Sequence, residues 1–92
     1  MVSDAEFKRV YWASRRGMLE LDLILVPFFE GRYASLPPAR QALYRRLMEC
    51  EDTELFVWLL GRAEPEDRAL ASLTREILEF SRDVDRGTGA GA

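Results

Sequence analysis

The chain has 92 residues, 48% of them hydrophobic and 32% charged, with thirteen Lys+Arg against sixteen Asp+Glu for a net charge of −3. This composition excludes disorder, leaves room for one domain around one core, and argues against a nucleic-acid binder, which needs clustered positive charge. The absence of histidine removes the commonest general base and metal ligand, and the single Cys50 excludes an internal disulfide and a CxxC zinc site.

Ser3 and Glu6 have capping-box spacing, and Phe7, Val10, Tyr11 and Ser14 follow at helical intervals. They predict a first helix over 4–15, stopped at Gly17. The next segment carries two periods at once. Leu19-Glu20-Leu21-Asp22-Leu23 alternates as a half-buried strand would, whereas Leu23 to Phe29 is apolar on every side except at Pro27, as in an enclosed helix bent at its proline. The rest of the chain offers no partner strands, which favours the helix.

Ser35-Leu36-Pro37-Pro38 marks a stop and a restart, since proline is tolerated in the first turn of a helix. Leu36, Ala39, Leu43 and Leu47 line one face of a third helix that ends near Cys50. Asp52 is the expected cap of a short fourth helix, with Leu55, Phe56, Leu59 and Leu60 inside and Gly61 as its stop. Pro65, Glu66 and Asp67 open a fifth, with Leu70, Leu73, Ile77 and Phe80 as its buried stripe. The fold class is therefore all-α: a small five-helix bundle, one domain over 1–83, followed by a flexible Gly/Ala-rich tail over 84–92.

The N-terminus lacks the basic start and apolar run of a signal peptide, and the most apolar stretch, 18–29, is too short and too charged to span a bilayer. The expectation is a cytoplasmic protein without membrane insertion. Neither GxGxxG nor GxxxxGK[ST] occurs, so an enzyme with its own active site has almost no support.

Core packing explains least well the segment from Trp12 to Asp22. One reading is local: Gly17 ends a helix, Arg15 and Arg16 suit its negative end, and Glu20 and Asp22 suit the positive start of the next. The other is functional: a turn at Gly17 brings Arg16 and Glu20 together at a helix junction, facing a partner whose backbone can approach the glycine closely. On a helix Glu20 and Asp22 diverge by roughly 200°, which excludes a paired acid and base.

The same segment carries a resemblance. Arg16-Gly17-Met18-Leu19-Glu20 matches the RGxxE motif of the succinate dehydrogenase assembly factor family, small bacterial flavinylation factors with mitochondrial relatives. Trp12-Ala13, Glu20-Leu21-Asp22, Pro27-Phe28-Phe29-Glu30, Leu47-Met48-Glu49-Cys50 and Leu55-Phe56-Val57-Trp58-Leu59 extend the similarity, in order, over about residues 7–60. The resemblance implies a five-helix fold, with helix rather than strand over 18–30, and an assembly role rather than turnover. Its implied partner is the flavoprotein subunit of succinate dehydrogenase, and also of fumarate reductase, on which FAD becomes covalently attached to a histidine. No cofactor is expected to be held stably by this chain, which is expected to act as a monomer. The implied client-binding residues are Arg16, Gly17 and Glu20, joined by Asp22, Trp12 and Arg15, with Arg16 and Glu20 giving charged hydrogen bonds to the client.

Other groups have plainer expectations. Phe28, Phe29 and Trp58 suit the core, Cys50 a small buried hydrophobe, Glu49, Glu51 and Asp52 a helix cap, and Arg40, Arg45 and Arg46 a solvated face. A competing reading is a small regulatory interaction protein, antitoxin-like or DNA-linked, in which the Arg15-Arg16 and Arg45-Arg46 pairs would matter most.

Overall fold

The segment with two competing periodicities is a helix. In the computed structural model, which describes residues 4–91 and the side chains of 4–84, Leu19–Arg32 forms one helix that continues across Pro27. A helix that is apolar nearly all round must be enclosed on most sides, and this one packs against three other helices and the 3-10 turn that follows it. The elements are α1 (Asp4–Ser14), α2 (Leu19–Arg32), a 3-10 turn (Tyr33–Ser35), α3 (Pro38–Met48), α4 (Asp52–Leu59) and α5 (Arg68–Gly91), with no strand among the described residues. The Ser3–Glu6 capping box involves Ser3, which lies outside the described residues.

Leu21, Leu25, Phe28 and Phe29 of α2 are fully buried in one core with Tyr44 and Leu47 of α3, Leu55 of α4, and Leu73 and Ile77 of α5. The centre is aromatic. Phe29 stacks on Tyr33 at 4.8 Å between ring centroids, Tyr33 meets the edge of Tyr44 at 5.4 Å, and Phe28 meets Phe80 edge-on at 5.6 Å. Its polar tips are satisfied: Ser14 Oγ donates to the Val10 carbonyl at 2.9 Å, so the Tyr44 hydroxyl, 2.6 Å away, donates to Ser14. Burial holds the Tyr44 hydroxyl in its protonated form, pushing its pKa well above the usual 10.0.

Three boundaries differ from the sequence expectation, the first two for a local reason. The cap of α4 is Glu51 rather than Asp52; the Glu51 amide donates to the Glu54 carboxylate at 3.3 Å, and Asp52 is released for another partner. The fifth helix starts at Arg68, not at Pro65, because the Asp67 carboxylate accepts the Ala69 and Leu70 amides at 2.8 and 3.1 Å. The same helix carries the backbone through the segment expected as a flexible tail, as far as Gly91.

Arg40, Arg45 and Arg46 are not a free basic face. Arg40 pairs with Glu76 across α3 and α5, Arg46 reaches Asp67 at 3.0 Å, and Arg45 bonds the Tyr33 hydroxyl at 2.8 Å and Glu6 at 3.2 Å. Cys50 is half-buried rather than buried, and burial pushes its thiol pKa up. Trp58 is likewise half-buried, packed against the core.

Candidate client-docking surface

The junction between α1 and α2 is set by one glycine and one carboxylate. Gly17 has φ +83°, a conformation that costs any L-residue strain, while the space where a side chain would project holds no atom within 4 Å. The backbone there is open to an approaching partner. Asp22, one turn into α2, accepts the Arg16 amide at 2.7 Å and so fixes the end of the turn to the helix that follows.

Arg16 differs from its expected role as a charged donor facing outward. Its side chain is only 16% exposed. Nε meets Asp52 Oδ1 at 2.7 Å, Nη1 donates to the carbonyls of Ala13 and Met48 at 2.9 and 2.8 Å, and Nη2 donates to the Cys50 carbonyl at 2.9 Å. Four of the five N–H groups of the guanidinium are thus spent within the fold. The two carbonyls beyond α1 lie at the end of α3 and just past it, where helix termination leaves acceptors without intrahelical donors. The arginine that the motif places beside the glycine is a brace between two helix junctions.

Outward-facing groups surround that brace. Glu20 is exposed and has no partner among the described residues. Arg15 is exposed and lies over the Trp12 ring, 5.6 Å from its centroid. Trp12 itself is 64% exposed, which removes it from the core. Leu19 and Leu23, at 69% and 64% exposed, stand one helical turn apart on α2. Neither leucine was singled out from the sequence, although the signal existed: a helix apolar all round, in a bundle this small, must leave one apolar face outside. Below Leu23 is a shallow depression of about 250 Å³ lined by Tyr11, Arg15, Asp22, Val26 and Pro27.

Residues 12–23 thus expose three large apolar side chains together with an open glycine and an unpaired carboxylate, the residue types found at protein interaction sites. No group of three or more potential metal ligands occurs among the described residues, and no described helix is long and apolar enough to cross a membrane. The described fold is thus a small helical bundle that leaves large apolar side chains exposed at the junction of α1 and α2.

The comparisons with known proteins give the family. The model of the Sdh5 family, described as flavinator of succinate dehydrogenase, matches residues 8–81, reaching past the motif-bearing helices into α5. FAD assembly factor SdhE of Pseudomonas aeruginosa is 51% identical over 79 residues, covering 86% of this chain and 94% of the relative. The protein of the same name in Pseudomonas savastanoi is 52% identical over the same shares, and that of Aliivibrio fischeri 43% identical over 81 residues, 88% of this chain and 94% of the relative. The chain belongs to the Sdh5 family of succinate dehydrogenase flavinators. It is an assembly factor by family, not an enzyme in its own right.

Proposed function

We propose that this chain docks through its Trp12–Leu23 face on the flavoprotein subunit of succinate dehydrogenase, and on that of fumarate reductase as a second client, and promotes covalent attachment of FAD to it. The observation that carries this reading is the exposed trio Trp12, Leu19 and Leu23 around Gly17 and Glu20, on a chain whose family is that of the flavinators. Trp12, with its large rigid ring, is the anchor, and the leucines exclude water around it. Gly17 admits the client backbone, Glu20 gives it a charged hydrogen bond, and Arg15, held against Trp12, forms the rim. Arg16 and Asp22 act from behind, by fixing the turn.

The chain has no histidine, so the flavin linkage forms on the client. What the assembly factor contributes is geometry. Holding the client so that flavin and acceptor side chain sit in reacting position lowers the barrier by several kcal/mol without a donated catalytic group, well within the roughly 7–11 kcal/mol that orientation can supply. FAD stays with the client throughout. A depression of about 500 Å³ beside Cys50 and Trp58 is rimmed by Glu54, Glu64, Glu66 and Asp67, of which Glu64 and Asp67 are paired with Arg75 and Arg46, and the remaining carboxylates disfavour a diphosphate. The factor works as a monomer in the cytoplasm.

The competing reading as a DNA-linked regulator is less well supported by the arginine pairs, since Arg16 is largely buried and Arg45 and Arg46, though accessible to solvent, are each paired with a carboxylate, Glu6 and Asp67. The test of the lead reading is the flavin fluorescence of denatured flavoprotein subunit, matured with and without this chain. More covalent flavin with the chain is expected; equal amounts would contradict the proposal.

A further inference from the structure

The brace around Arg16 has a partner that the motif does not contain. Asp52 opens α4, thirty-six residues away in sequence, and is 39% exposed on its side chain. Its carboxylate lies at the positive end of a helix, which favours its charge, and it accepts the Arg16 Nε at 2.7 Å. Through that contact the start of α4 and the carbonyls of Met48 and Cys50 are tied to Arg16, whose own amide is tied to Asp22 on α2. One side chain thus joins the α1–α2 junction to the α3–α4 junction. Between the two anchored ends of this chain of contacts lies the segment that carries Gly17, Leu19 and Glu20.

We propose that Asp52 is a positioning residue for the docking surface: it fixes Arg16, and through Arg16 the height and direction in which the Gly17 turn and Glu20 face the client. The inference rests on the docking reading above for its consequence, and on the hydrogen-bond geometry alone for its mechanism. Asp52 does not touch the client; its effect passes through Arg16. Without its carboxylate the guanidinium keeps three carbonyl acceptors, enough to hold the fold but not one orientation of the turn. Exposed pairs at ordinary surfaces contribute little, but this arginine is largely buried and has four acceptors converging on it.

Two measurements decide it, on the full chain. In the free chain, Asp52→Ala, which removes the acceptor as well as the charge, is compared with the parent by amide hydrogen exchange. Faster exchange confined to residues 15–22, with the amides of Leu25 and Leu73 unchanged, is expected. No change, or an increase spread evenly over the bundle, would overturn the inference, because it would make Asp52 neutral or merely a contributor to overall stability. In the second, affinity for the purified flavin-free flavoprotein subunit is measured for Asp52→Ala, Glu20→Ala and the double variant, with Asp52→Asn in place of Asp52→Ala if the latter unfolds. Asp52→Ala weakens binding about tenfold, and the double variant binds within about twofold of the weaker single variant, the non-additivity of residues that act through one contact. Effects that multiply would overturn the positioning role. A parent chain that fails to bind the subunit defeats the docking reading instead, and the exchange measurement still decides whether Asp52 sets the turn.

Discussion

Gly17 separates the two demands made on the junction. Its φ of +83° is a folding requirement, and the empty space beside it is a docking requirement. Gly17→Arg tests both. A side chain at this backbone conformation costs about 1–2 kcal/mol, a fraction of the 5–15 kcal/mol typical of a small domain, so the variant stays folded. The new guanidinium then occupies the space that the client backbone needs. Circular dichroism is expected to show near-normal helical content while promotion of covalent flavin is lost; an unfolded variant would show that Gly17 serves the fold alone. Gly17 and Glu20 were legible in the sequence as an open turn and an outward charge. Arg16 was legible as important but not in its direction, because its acceptors are backbone carbonyls and a carboxylate from 32 to 36 residues away, apart from Ala13. Sequence spacing reveals neighbours along a helix, not what a loop from elsewhere brings alongside. For the same reason the sequence suggests only a capping role for Asp52, the nearest task available to it.

The helices themselves were more legible than their ends. Leu70, Leu73 and Ile77, read as the stripe of α5, are all buried, and Phe80 is half-buried against the core. The start of that helix depends on Asp67, whose carboxyl is held below its ordinary 3.8 by the hydrogen bond from Arg46 first and then by the amides of Leu70 and Ala69. A carboxyl depressed in the folded state contributes its stability in full above the unfolded value of 3.8, and loses it as pH falls through the folded value. Asp67→Asn is therefore expected to lower the thermal midpoint by a few degrees at neutral pH, with the difference from the parent shrinking as pH falls below 3.8. A difference independent of pH would mean that the cap acts through shape alone. In α2 the conflict between periods two and 3.6 had a physical origin. Leu21 and Leu25 face the core while Leu19 and Leu23 face out, so the helix is apolar on both sides and its periodicity is blurred.

At the scale of the molecule, a central apolar helix solves two problems at once. One side of α2 organises the core around Phe28 and Phe29, and the other is left uncovered beside the α1–α2 turn. Elsewhere Arg40 pairs with Glu76 from α3 to α5, and Arg46 and Arg75 pair with Asp67 and Glu64 of the loop before α5, while the most exposed large apolar side chains, Trp12, Leu19 and Leu23, fall within residues 12–23. On the proposed function the client docks on one side of the bundle. Amide hydrogen exchange of this chain, free and bound to the flavoprotein subunit of succinate dehydrogenase, tests that placement most directly. Protection on binding concentrated in residues 12–23, with α4 and α5 little changed, is the predicted result; protection centred on α4 and α5, with 12–23 exchanging as in the free chain, would contradict it.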